Sequence, residues 1–202
     1  MLPIHIVDDD DGVRNSIGFL LRAEGMVYTL HKSAEAFLAN LPELELGCIL
    51  VDLRLDGMQG IEFMQTLRDN GCSMPVVMMS GHADVASAVL AMKQGATDFI
   101  LKPFSKAELL AAVAEAERWL AQTHKGMQEK ADARHMIEAL SQRERQVLVG
   151  LAHGKSNKTI ALEIGISPRT IEIYRSNAMR KLGVRSLPDM LHLAFLAGVM
   201  DD

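Results

Sequence analysis

Cysteine is scarce in this sequence, with two residues, Cys48 and Cys72. They have no metal-ligand spacing. Cys48 sits inside an apolar run and reads as a core filler in a reducing compartment. Long apolar runs are missing too: none reaches the ~18 residues that a membrane span requires. The opening stretch MLPIHIVDDDD has neither the basic start nor the long apolar region of a secretory signal. No membrane partner is expected, and the expected location is the cytoplasm. Internal repeats and low-complexity tracts are also absent, which leaves ordinary globular domains.

What is present is an apolar fraction of 49% in a chain of 202 residues, enough for one large domain or two small ones with packed cores. The net charge of −5 hides an asymmetry. Residues 1–120 hold 17 acidic and 9 basic side chains, while residues 121–202 hold 12 basic and 9 acidic ones. An acidic half followed by a mildly basic one suggests two domains with different partners.

The first half alternates short apolar runs with helical patterns. Strands are expected at Ile4 to Val7, Met26 to Leu30, Cys48 to Val51, Pro75 to Met79 and Phe99 to Leu101. Between them, Val13, Ile17, Leu20 and Leu21 recur at helical spacing up to Gly25. Ser33 can cap a helix reaching Leu41. Ile61 to Leu67 forms a third helix. Asp84 can cap a fourth, with Val85, Val89 and Met92 on one face and Gly95 at its end. Ser105 and Glu108 have the S-x-x-E form of a capping box and open a helix toward Leu120. Strict alternation argues for a doubly wound parallel sheet.

Residues 121–137 are polar and read as a linker compatible with helix, with Gly126 its weak point. Residues 138–202 contain no convincing strand. Ser141 and Glu144 form another capping box, Ser156 to Ile164 is a short helix broken by Gly165, and Ser167-Pro168 opens a helix to Leu182. Leu187 to Leu196 makes the last one. The order short helix, Gly turn, capped helix is a helix-turn-helix pattern.

In doubly wound sheets, sites form beyond the carboxyl ends of the strands. Those ends carry Asp8 to Asp11, Asp52, Ser80, and Lys102-Pro103. Packed carboxylates repel unless a cation neutralises them, and Mg²⁺ suits a few carboxylates plus waters. A lysine and a hydroxyl suit phosphoryl oxygens, and an Asp can take up a phosphoryl group as a nucleophile. The residues therefore read as Asp52 nucleophile, Asp8 and Asp9 metal-holding, and Lys102 and Ser80 phosphate-gripping. Asp10 and Asp11 read instead as a solvated helix start.

The segments HIVDDD, LVDLR, SGHADV and AMKQGATDFILKPF, with their spacings, closely resemble the receiver domain of two-component response regulators. The branch resembled is FixJ-like, within the NarL/FixJ family. The resemblance implies a flavodoxin-like five-stranded sheet of order 2-1-3-4-5 over residues 1–120. It implies Asp52 as phosphoacceptor and Mg²⁺ or Mn²⁺ held by Asp8, Asp9, Asp52 and the Arg54 backbone carbonyl. Ser80 becomes the switch hydroxyl, Phe99 the switch aromatic, Lys102 the phosphate-binding lysine, and the Lys102–Pro103 bond cis. One departure stands out: Asp56 occupies a position where the family usually has proline.

The segment from Leu140 to Leu187 resembles LuxR-type DNA-binding domains, implying an all-α, four-helix module over residues 138–202. The DNA-facing set carried over is Lys155, Asn157, Lys158, Arg169, Thr170, Glu172, Ile173, Arg175, Ser176, Arg180, Lys181 and Arg185. Glu172, Ile173 and Ser176 would face base edges and the basic residues phosphates. Implied partners are double-stranded promoter DNA, a sensor histidine kinase, a second copy of the phosphorylated chain, and RNA polymerase. Phosphorylation would repack the face of the fourth helix, fifth strand and fifth helix and so promote dimerisation; a masked recognition helix is the alternative device. A receiver serving as a phosphorylation-independent dimerisation domain stays open. A Mg²⁺-dependent aspartate-nucleophile phosphatase ordinarily carries a second Asp two residues after the nucleophile, where this chain has Arg54.

Overall fold

The apolar runs at 4–7, 48–51 and 76–79 are buried on both faces, and they form the centre of a sheet. The computed structural model describes residues 2–81 and 85–199. The strands are β1 (Ile4–Val7), β2 (Tyr28–His31), β3 (Cys48–Asp52), β4 (Val76–Ser80) and β5 (Asp98–Leu101). They lie in the order β2-β1-β3-β4-β5, and every neighbouring pair is parallel. This is the order the resemblance implied.

Side chains alternate across the sheet with the period of two that a strand imposes. Val7, Ile49, Val51, Val76 and Met78 face one cluster, with Phe37, Phe63 and Leu67. Ile4, Ile6, Cys48, Leu50, Val77 and Met79 face the other, with Ile17, Leu21, Leu109 and Val113. Burial on both faces is why β1, β3 and β4 read as nearly continuous apolar runs, while the edge strands β2 and β5 are partly exposed. The flanking helices are α1 (Asp11–Ala23), α2 (Ala34–Leu38), α3 (Gly60–Asp69), α4 (Val85–Lys93) and α5 (Lys106–Glu138).

Several boundaries differ from expectation for local reasons. Met26 donates its N–H to Leu21 O at 3.0 Å, so it still closes α1, and β2 begins two residues later than expected. The helix capped by Ser33 stops at Leu38 instead of Leu41. Pro42 disfavours helix at the residue before it, and Leu41–Glu43 forms a short 3-10 turn. The expected cap Asp84 lies outside the described residues. Val85, Val89 and Met92 of α4 are exposed. The Lys102–Pro103 bond is cis.

Two compact units divide between Gln122 and Thr123. Residues 121–137 all lie within α5, which passes Gly126 without a break. Exposed pairs one turn apart support this polar segment, among them Gln128 with Asp132 at 2.7 Å and Lys125 with Glu129 at 3.8 Å.

The second unit holds α6 (Gln142–Ala152), α7 (Asn157–Ile164), α8 (Pro168–Lys181) and α9 (Leu187–Leu196). The α6 capping box is reciprocal: Ser141 Oγ accepts the Glu144 N–H, and the Glu144 carboxylate accepts the Ser141 N–H. Gly165, at φ 70°, takes the left-handed conformation that ends α7. Ser167 Oγ accepts the Thr170 N–H at 3.1 Å and Pro168 opens α8. Val147, Leu148, Ile160, Ile171, Ala178, Leu182 and Met190 fill the core.

Candidate functional site

The parallel register carries β1, β3, β4 and β5 to one edge, where Asp8, Asp52, Ser80 and Lys102 stand at or just past the strand ends. Lys102 is fixed by its own backbone, which donates to Ser80 O at 2.7 Å. Its Nζ reaches Asp8 Oδ2 at 2.5 Å and Asp52 Oδ1 at 2.9 Å. Asp8 is buried, and its second oxygen accepts the Asp10 N–H at 2.9 Å. Ligand oxygens of Asp8, Asp9 and Asp52 lie within 4.8 Å of one another.

The electrostatics follow from this crowding. Burial pushes the Asp52 carboxyl above the usual carboxylate range; the Lys102 ammonium pulls it down, and Asp8 and Asp9 push it further up. Burial works against the charge of Lys102, but its hydrogen bonds to Asp8 and Asp52 outweigh it and raise its pKa. One lysine thus faces three carboxylates, leaving an excess of negative charge at a set of hard oxygen donors. That donor set fits a small divalent cation such as Mg²⁺. Asp52 is the half-buried member of the three, between the buried Asp8 and the exposed Asp9.

The remaining candidates fall nearby or apart as follows. Ser80 is buried at the end of β4. Phe99 is half-buried in β5 opposite Met78 and packs on the first core cluster. Arg54 is exposed in the loop after β3. Asp10 caps α1, accepting the N–H groups of Gly12 and Val13, which lower its pKa, and Asp11 is exposed in the first turn and pairs with Arg14. Those two belong to the helix start.

Sequence reasoning missed three supports. Arg14 Nη1 donates to Asp8 O at 2.5 Å from within α1. Gly60 packs α3 so closely on β3 that a Cβ would sit 2.4 Å from Asp52 O. Glu35 accepts the Met58 N–H at 3.0 Å. Only the glycine carried a signal in the sequence, a Gly in the segment that follows β3.

In the second unit, α7 and α8 make the helix-turn-helix. Glu172, Ile173 and Ser176 share the exposed side of α8, while Ile171 and Ala178 face the core. Lys158, Arg169 and Arg185 are exposed, Arg180 donates to Asn177 at 3.1 Å, and Arg175 is half-buried. Asn157 starts α7, and the Thr170 hydroxyl meets Ser167 Oγ at 2.8 Å. Two of the expected phosphate ligands are engaged within the protein. Lys155 pairs with Glu163 at 2.7 Å, and Lys181 with the buried Glu144 at 2.7 Å.

Residues 4–114 match the family described as the response regulator receiver domain, and residues 138–194 match the luxR family of bacterial regulatory proteins. This chain is a response regulator with a LuxR-type DNA-binding domain. The chain is 47% identical to the transcriptional regulatory protein FixJ of Azorhizobium caulinodans, over 98% of this chain and 94% of that protein. It is 41% identical to FixJ of Rhizobium meliloti, over 96% of each chain. Among solved structures, full-length FixJ from B. japonicum aligns with a TM-score of 0.62 at 43% identity, covering 98% of this chain and 97% of that one. The response regulator StyR aligns with a TM-score of 0.71 at 35% identity, covering 96% and 99%. The chain is a phosphorylation-dependent, DNA-binding transcription regulator, and the FixJ relatives are named as transcriptional regulatory proteins. Among the described residues, no helix is long and apolar enough to cross a membrane.

Proposed function

We propose that this regulator, acting in the cytoplasm, takes a phosphoryl group from a sensor histidine kinase onto Asp52 and answers by binding promoter DNA as a dimer. The observation that carries the reading is Lys102 Nζ bridging Asp8 at 2.5 Å and Asp52 at 2.9 Å. The Asp52 oxygen attacks phosphorus, the bond from phosphorus to the donor breaks, and the donor leaves with that electron pair. Lys102 then exchanges a carboxylate contact for a phosphoryl oxygen and offsets the added charge. Asp8, Asp9, Asp52 and the Arg54 carbonyl would hold Mg²⁺ or Mn²⁺. When bound, that ion neutralises charge on the transferring group.

Phosphorylation adds nearly two negative charges and strong acceptor oxygens. Ser80 turns its hydroxyl to one of them, and Phe99 moves into the space beside it. The exposed apolar side chains of α4 and Leu101 of β5 support a dimer face there. We assign residues 1–120 to the receiver, 121–137 to a linker and 138–202 to DNA binding. Glu172, Ile173 and Ser176 read bases in the major groove, and Lys158, Arg169, Arg175, Arg180 and Arg185 meet phosphates. Asn157 and Thr170 support the turn at the backbone, and Lys155 adds charge beside it. Contact of the assembled dimer with RNA polymerase follows from its position at a promoter.

The test is labelling by a small phosphodonor, acetyl phosphate, with Mg²⁺ present. Wild type is labelled and Asp52→Asn is not; equal labelling of the variant overturns the assignment. A labelled protein that stays monomeric in gel filtration overturns the dimer.

A further inference from the structure

The loop between β3 and α3 is held at two points by carboxylates from elsewhere in the fold. Asp9 Oδ2 accepts the N–H of Asp56 at 3.2 Å. Two residues on, Glu35 Oε1 accepts the N–H of Met58 at 3.0 Å. Gly57 lies between them at φ 86°, and a Cβ there would stand 2.8 Å from the same Glu35 oxygen. The loop is therefore clipped to β1's end on one side and to α2 on the other.

The Asp9 arm of the clip matters for the acidic cluster. Asp8 is held by Lys102 and the Asp10 N–H, and Asp52 by Lys102. Asp9 is the exposed member of the three, and among the described residues it has no ion-pair partner. Repulsion from its neighbours favours turning it outward to water. The Asp56 amide opposes that turn with a hydrogen bond to a charged acceptor, the stronger kind.

We propose that Asp56 is a positioning residue that acts through its backbone: its amide commits one Asp9 oxygen to the loop and leaves the other facing the cluster for a divalent cation. The proposal rests on the cation-site reading above. Its consequence is specific. The exposed carboxylate of Asp56 contributes nothing, so any residue with an N–H keeps this hold on Asp9, and the proline usual in the family gives it up. Without the amide, Asp9 must be ordered when the cation arrives, and that ordering weakens binding.

The experiment titrates full-length protein with Mn²⁺ and follows loss of the free-ion paramagnetic resonance signal. Asp56→Ala is expected within twofold of wild type. Asp56→Pro is expected to bind about three- to tenfold more weakly, the net worth of one ordinary hydrogen bond, because this one is exposed to solvent. Equal weakening in both variants assigns the effect to the side-chain charge and overturns the proposal, as does unchanged binding by Asp56→Pro. A wild type that takes up no Mn²⁺ overturns the cation-site reading and the proposal with it. Acetyl phosphate labelling of wild type but not of Asp52→Asn tests the phosphoacceptor separately. Amide hydrogen exchange at Asp56 covers the case in which the proline variant misfolds. Exchange should speed at least tenfold in Asp9→Ala, and an unchanged rate overturns the clip without any change at residue 56.

Discussion

Lys181, in the last turn of the recognition helix α8, lies with its Nζ 2.7 Å from Oε2 of Glu144, in the first turn of α6. The same Glu144 carboxylate accepts the Ser141 N–H at 2.7 Å, so one buried oxygen both caps α6 and anchors α8. The Lys181 hydrogen bond is the main reason that the Glu144 carboxyl stays below the usual carboxylate range. This sets α8 against the scaffold before any DNA is bound.

Lys181 should therefore behave as a strut and not as a phosphate ligand. Lys181→Met leaves Glu144 without its cation and should cost about 1–3 kcal/mol of stability, less than a fully buried pair because Lys181 is 43% exposed. DNA affinity should drop several-fold while its dependence on salt stays unchanged. Arg169→Ala should instead flatten the plot of log affinity against log salt by about 0.9, one phosphate contact. A similar flattening in Lys181→Met would return that residue to the phosphate-binding set.

The strut explains part of what the sequence could not convey. Alternating apolar runs announce a parallel sheet, and strand ends in such a sheet converge, so Asp8, Asp52, Ser80 and Lys102 were legible as one site. Ser167-Pro168 and Gly165 likewise announce the recognition helix through cap and turn chemistry. Contacts between distant side chains carry no such local signature. Nothing near Lys181 points to Glu144, nothing in α1 points Arg14 at Asp8, and nothing in α2 points Glu35 at Met58. The run 121–137 was ambiguous because its helix depends on polar pairs one turn apart and on neighbours at either end, not on an apolar stripe.

Acid should weaken the receiver through His31. Its imidazole is buried beside the buried His5 and against Phe37. Burial first, and the neighbouring His5 second, lowers the His31 pKa from 6.5 to about 4. The unfolded chain then binds a proton that the folded chain refuses. The stability from keeping His31 neutral is complete above pH 6.5, falls as the pH drops, and levels off below about 4. Urea melts of wild type and His31→Asn should show a stability difference that shrinks across this window. A difference independent of pH between 7 and about 4 would mean that His31 is not held neutral.

Gly60 should prove necessary for the reactive strand end and not for the backbone conformation at its own position. Its φ is not in the left-handed region, and its N–H donates to Leu53 O at 3.1 Å. The constraint is space: an added Cβ would meet Asp52 O at 2.4 Å and Leu53 Cα at 3.0 Å. These are backbone atoms with no rotamer to yield, so α3 and the end of β3 must move apart, carrying Asp52 from Lys102. Gly60→Ala should lose about 1–3 kcal/mol, as overpacking generally does, and should slow labelling by acetyl phosphate by an order of magnitude. Gly71→Ala is the informative comparison. Gly71 sits at φ 72° with nothing within 4 Å, so alanine there meets backbone strain and no collision. It should lose about 1 kcal/mol and label at the wild-type rate. If the two variants label alike, the close approach of α3 to Asp52 is not what aligns the acceptor.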